Sequence, residues 1–152
     1  MTASAAWDPP FSGFGCRVPA SAIDYNGHMN DAAYAQVLTD ANEVFIDALG
    51  LGADYREHTG CALYTVEMTI RFLREVGLGD ALHAHTLLAS HDAKRVRLRT
   101  RLLAADGSAV AEGETLYLHV DAGAGKVRPF PADRAVVLGE VAAAHSGALP
   151  AR

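Results

Sequence analysis

DYNGHMNDAAYAQVLTDANEVFIDALG, residues 24 to 50, decides how the rest of the chain must be laid out. From Asp31 to Leu49 the apolar side chains fall at Tyr34, Val37, Leu38, Ala41, Val44, Phe45, Ala48 and Leu49, the spacing of an amphipathic helix. Thr39, Asp40, Asn42, Glu43 and Asp47 occupy the remainder of the wheel, which reads as its polar side. Asn30 is suited to cap the first turn, and Gly50 stands where a left-handed C-terminal residue is wanted. At about 1.5 Å per residue the helix runs roughly 28 Å, enough for the spine of a small domain. Just before it, DYNGHMN gathers a carboxylate, an amide, a glycine and an imidazole in one loop.

On the N-terminal side, residues 14–23 suit a short strand with Pro19 near its end, an edge or bulge signal. Residues 1–13, with Pro9, Pro10 and Gly13, read as a flexible N-terminal arm. After the helix the period changes to two. Ala62, Tyr64, Val66, Met68, Ile70 and Phe72 alternate with Leu63, Thr65, Glu67, Thr69, Arg71 and Leu73, a half-buried strand. EVGLGD turns the chain into a strand over 81–90, and KRVRLRTRLL forms another. In that strand Val96, Leu98, Thr100 and Leu102 point inward and Arg95, Arg97, Arg99 and Arg101 outward. AADG is a hairpin turn, 109–120 the last strand, 132–145 a short amphipathic helix, and 146–152 a frayed tail. Short connections favour antiparallel neighbours. The expected fold is therefore α+β, a five-stranded antiparallel sheet covering one long helix in a single domain over 14–145.

The bulk numbers exclude several classes. A net charge of −5 lacks the footprint of a nucleic-acid binder, and no apolar run is long enough to span a bilayer. The two cysteines, Cys16 and Cys61, sit far apart without metal-site spacing. They read as reduced thiols of a cytoplasmic protein.

The element order, with DYNGHMNDAAY between first strand and helix, resembles the hotdog-fold acyl-CoA thioesterases of the 4-hydroxybenzoyl-CoA thioesterase type. The D-x-x-G-H-x-N motif, RFLREVGLGD and LYLHVD carry the resemblance over roughly residues 14 to 131. AKR between the middle strands and PFP after the last narrow it toward the thioesterases of carnitine and betaine catabolism, such as betainyl-CoA thioesterases. The resemblance implies a hotdog fold and a homodimer, with two sheets joined and active sites at the interface, or a tetramer built from it. It implies no cofactor, coenzyme A being part of the substrate. It also makes Asp24 the catalytic carboxylate and turns the backbone N–H groups from Gly27 through His28 to Met29 toward the thioester oxygen.

The residues allow that chemistry. A helix start offers unpaired N–H groups and partial positive charge to an oxyanion, and Gly27 leaves room for the substrate carbonyl. Asp24 either attacks the carbonyl carbon or takes a proton from water. It equally suits an Asx turn ahead of the helix. His28 can move a proton or orient the loop. Asn30 is a cap that also sits within reach of substrate. Asp40 and Glu43 are reserve carboxylates on the helix, and Glu67 projects toward an interface site or pairs across the sheet.

For the acyl group, Tyr25, Tyr34, Tyr64 and Phe72 supply aromatic faces that suit a quaternary ammonium. For the coenzyme A phosphates the candidates are Arg71, Arg74, Lys94 and Arg95. The outward arginine row also faces Glu112 and Glu114 on the next strand. His83 and His85 project two imidazoles from one strand face, half a metal site with no further ligand near in sequence, so no metal is expected. Two other functions compete. A hotdog enoyl-CoA hydratase would use Asp24 and His28, although Gly27 and the spacing depart from its pattern. A non-catalytic acyl-CoA-binding protein would need no carboxylate at the thioester.

Overall fold

The computed structural model describes residues 7–149. Strand β1 (Phe11–Arg17) leads through a single 3-10 turn at Ala20–Ala22 and the 24–30 loop into helix α1 (Asp31–Ala48). A short helix α2 (Ala53–Thr59) precedes β2 (Cys61–Phe72), β3 (Ala81–His91), β4 (Arg95–Ala104) and β5 (Ala109–Asp121). The two-residue strand β6 (Lys126–Val127) and helix α3 (Ala132–His145) complete the chain. The sheet order is β1-β3-β4-β5-β2, antiparallel throughout, with β6 paired to the end of β5. This is the expected hotdog arrangement, with α1 lying against the sheet's inner face.

Both helix ends behave as their residues dictate. The Asn30 side chain accepts from the Ala33 N–H at 2.9 Å, and Gly50 takes a φ of 72°. Along β4, Val96, Leu98, Thr100 and Leu102 are buried as the alternation required. One cluster packs Tyr34 and Leu38 of α1 on Leu82, Ala84, Leu102 and Ala111; a second packs Phe45 and Leu49 on Leu88, Val96, Leu98 and Leu138. Gly113 permits the close approach of helix and sheet, since a β-carbon there would meet Leu38 Cδ1 at 3.0 Å. Between the clusters lies a polar layer centred on Asn42, which is 1 % exposed. Its Nδ2 donates to Tyr117 Oη at 2.9 Å and Thr115 Oγ1 at 3.2 Å, and its Oδ1 accepts from Thr100 Oγ1 at 2.6 Å.

Four expectations need correction. Strand β1 starts at Phe11, inside the stretch assigned to the arm, and Trp7 and Phe11 pack against the Phe45 ring of α1. The rest of that arm, residues 1–6, and the end of the tail, 150–152, lie outside the described residues. Residues 20–22 form a 3-10 turn rather than continuing the strand to residue 23. Asn42 belongs to the buried face, not the polar one. Finally, β2 is not half-buried: it is a sheet edge, and Tyr64, Val66 and Phe72 are 43, 53 and 53 % exposed.

Helix α3 covers β3 and buries His145, whose Nδ1 accepts from the Leu88 N–H at 3.0 Å. The ring is therefore neutral with its proton on Nε2, and burial holds its pKa below the ordinary histidine value. No described helix is long and apolar enough to cross a membrane.

Candidate active site

The 24–30 loop is a closed turn built from its own backbone. Asp24 N–H donates to the His28 carbonyl at 3.0 Å, and Gly27 N–H donates to the Asp24 carbonyl at 3.0 Å. Gly27 has a φ of 80°, a left-handed conformation that a side chain would strain. The Asp24 carboxylate accepts from the Asn26 N–H through Oδ1 at 2.9 Å, so the Asx-turn reading holds for one of its two oxygens. Past the turn, Met29 N–H donates to the Val76 carbonyl at 2.8 Å and Asn30 N–H to the Ala22 carbonyl at 2.9 Å. The first bond stitches the loop to the segment that follows β2, the second to the 3-10 turn before the loop.

This pattern revises the oxyanion assignment. Of the three amides from Gly27 to Met29, two are spent inside the fold, by the turn itself and by Val76. Of these three, the His28 N–H alone has no partner among the described residues, and it stands three residues before helix α1 begins. The Gly27 and Met29 N–H groups are therefore already bonded within the fold. Asn30 is also committed: its Oδ1 caps the helix and its Nδ2 donates to the Ala22 carbonyl at 2.8 Å.

An open cleft of about 560 Å³ lies against the loop. Asp24, Asn26, His28 and Met29 form one wall, Asp31 and Tyr34 the helix side, and Phe72 and Glu75 the far wall. Tyr34 packs edge-on against Phe72 at 5.2 Å, and its hydroxyl donates to the Arg74 carbonyl at 3.0 Å. Its body lines the cleft while its polar tip fastens the far wall. Glu75 was not singled out in the sequence although it lies within RFLREVGLGD; its Oε2 is 3.4 Å from His28 Nδ1.

The other candidates scatter. Tyr25 is 97 % exposed and outside the cleft, held out by the turn. Tyr64 lies eight residues up β2 from Phe72, about 26 Å away along an extended strand. Glu67 and Arg71 line a different recess, about 610 Å³, on the outer face of the sheet with Arg97, Arg99 and Arg101. There the cross-strand pairs form: Arg97 and Arg99 reach Glu114 at 2.9 and 3.1 Å, and Arg101 reaches Glu112 at 3.0 Å. Arg74 is turned to the β4–β5 hairpin, where it contacts Ser108 and sits 3.3 Å from Asp106. The Ser108 hydroxyl and amide, with Arg74, pull the Asp106 carboxyl down to about 2.

Lys94 and Arg95 start β4, about 30 Å of extended chain from its site-proximal end at Ala104. Arg95 is held by Asp92 at 2.6 Å. The four phosphate candidates thus do not form one site within a single chain. Asp40 and Glu43 lie away from the cleft, Asp40 accepting from Gln36 Nε2 at 2.8 Å. Partial burial, then Asp47 and Asp40, push the Glu43 carboxyl up. His83 and His85 meet edge-on with ring centroids 5.5 Å apart, and no group of three metal-ligating side chains occurs among the described residues.

Residues 18–143 match the family model of the thioesterase-like superfamily. The chain is 43 % identical over 128 residues to an L-carnitine dehydrogenase/betainyl-CoA thioesterase of Agrobacterium fabrum, a match covering 84 % of this chain. It spans only 26 % of that relative's length. It is also 35 % identical over 129 residues to a betainyl-CoA thioesterase of Pseudomonas aeruginosa, covering 84 % of this chain and 80 % of that one. A hypothetical protein of Staphylococcus aureus solved in complex with CoA superposes with a TM-score of 0.82 at 24 % identity, over 95 % of this chain and 89 % of that chain, and so shares the fold.

Proposed function

The chain belongs to the thioesterase-like superfamily, and we propose on that premise that it hydrolyses an acyl-CoA thioester to the free acid and coenzyme A. The observation that carries the proposal is the pairing of Asp24 with the unpartnered His28 N–H at one cleft. A thioester carbonyl seated there would have an oxygen nucleophile, or the base for one, beside its carbon and a donor for its oxyanion. No cofactor enters the reaction.

The acyl group proposed is betainyl, a trimethylammonium-bearing acid. Asp24, Asp31 and Glu75 line the cleft with the aromatic faces of Tyr34 and Phe72, and no lysine or arginine lines it. Carboxylates and aromatic faces attract a quaternary ammonium, and an anionic acyl group would be repelled. Two relatives named as betainyl-CoA thioesterases support the same choice.

The active form proposed is a homodimer joined at β2. That strand is twelve residues long and unpaired on one side, with Tyr64, Val66 and Phe72 exposed. A long apolar edge invites a second copy. Joining there would bring the partner's surface near the cleft at Phe72 and give Tyr64 and Glu67 a neighbour. Sedimentation as a monomer at micromolar concentration would overturn this part. The unpaired Cys16 and Cys61 fit a reducing cytoplasm.

The direct test is free-thiol release from betainyl-, aryl- and medium-chain acyl-CoAs, run beside crotonyl-CoA absorbance. Thiol release is expected, fastest for the cationic acyl group. Crotonyl-CoA hydration without thiol release would instead establish the hydratase, and tight binding with neither signal the non-catalytic protein.

A further inference from the structure

Glu75 lines the cleft with its carboxylate against the side chain of another cleft residue, His28. Its Oε2 sits 3.4 Å from His28 Nδ1, and its side chain is otherwise largely exposed. Three contacts place it there. The Val76 carbonyl takes the Met29 N–H, the Arg74 carbonyl takes the Tyr34 hydroxyl, and the Arg74 guanidinium is held by Asp106 and Ser108. The segment around Glu75 is thus tied to the catalytic loop, to helix α1 and to the β4–β5 hairpin at once. Such anchoring serves no purpose for a solvated surface carboxylate.

We propose that Glu75 is a positioning residue: it holds the His28 ring by Nδ1, so that Nε2 is the atom presented to the substrate and carries a proton to the departing sulfur. This rests on the thioesterase reading above. A carboxylate at one ring nitrogen fixes the orientation of the ring and hence where the other nitrogen points. When the carbonyl carbon is attacked, the C–S bond breaks with its electron pair on sulfur, and the Nε2 proton passes to that thiolate. His28 regains its proton from the attacking water, directly or by way of solvent. The step is the same whether Asp24 attacks or acts as base. The charged and titratable groups around His28 are Asp24 from its own loop, Asp31 and Tyr34 from α1, and Glu75 from the segment after β2. Arg74, next to Glu75 in the chain, is directed away to the hairpin.

The test compares Glu75→Gln, His28→Gln and the double variant with the wild type, on acyl-N-acetylcysteamine and acyl thiophenyl esters of the best acyl group. Glu75→Gln is expected to lower kcat about tenfold with KM little changed. His28→Gln should lower kcat about a hundredfold, with the double variant no slower than His28→Gln alone. Both losses should shrink on the thiophenyl ester, whose thiolate needs no proton to leave. A Glu75→Gln enzyme with wild-type kcat overturns the proposal. So does a Glu75→Gln loss that persists in the His28→Gln background, or one equal on both leaving groups. If the wild type releases no thiol from any thioester, the thioesterase reading falls and this proposal with it.

Discussion

Asp24→Asn is expected to slow thiol release by about a thousandfold or more while leaving the fold intact. The carboxylate has two separable duties. Through Oδ1 it accepts the Asn26 N–H at 2.9 Å, which an asparagine oxygen does equally well. The charge proposed to attack carbon or take a proton from water is what the substitution removes. Circular dichroism and melting should match the wild type. Asp24→Ala, by contrast, would lose the turn bond as well as the charge. An Asp24→Asn enzyme with activity near that of the wild type would move the chemistry to another group. In single-turnover hydrolysis in ¹⁸O water, unlabelled acid with the label on Asp24 would establish direct attack followed by hydrolysis at the Asp24 carbonyl.

The second large effect is on stability. Asn42→Ala should cost about 3 kcal/mol, since it strips partners from the hydroxyls of Thr100, Thr115 and Tyr117 in a dry layer. Partial recovery is available to Thr100, which lies 3.3 Å from Thr86 Oγ1. For a chain of this size the melting temperature should fall by roughly 6–12 °C. Asn42→Leu should not restore it, because an apolar side chain supplies neither donor nor acceptor. A melting temperature within a degree or two of wild type would mean that the layer is satisfied in some other way. The cost falls on the register of α1 against the sheet, and hence on how the loop at its N-terminus faces the cleft.

Asn42 also shows where periodicity misleads. Its position lies between Leu38 and Phe45, four and three residues away, on the face those residues bury. Geometry put it inside; its polarity argued for outside. What resolves the conflict is a set of hydroxyls on β4 and β5 that the helix segment cannot reveal by itself. The reverse error occurred at β2. Its alternating pattern is real, yet alternation reports that one face seeks cover, not that the same chain supplies it. The sheet order leaves β2 at the edge, so its apolar residues stay exposed and support the dimer proposed above.

The site divides the same way. The sequence of residues 24 to 50 by itself determined a capped helix, a turn closed by Gly27 and a carboxylate ahead of both, because these depend on neighbours within a few positions. Alternation along β4 likewise determined which side chains face inward. Only the tertiary structure decided which amides of the loop stay free. Val76, nearly fifty residues away in the chain, consumes the Met29 N–H, leaving His28 as the unpartnered donor. It alone separated Tyr25, Tyr64, Arg95 and Lys94 from the cleft and brought Glu75 to His28. Those outcomes depend on which distant segments the sheet order sets side by side, and local spacing carries no record of that.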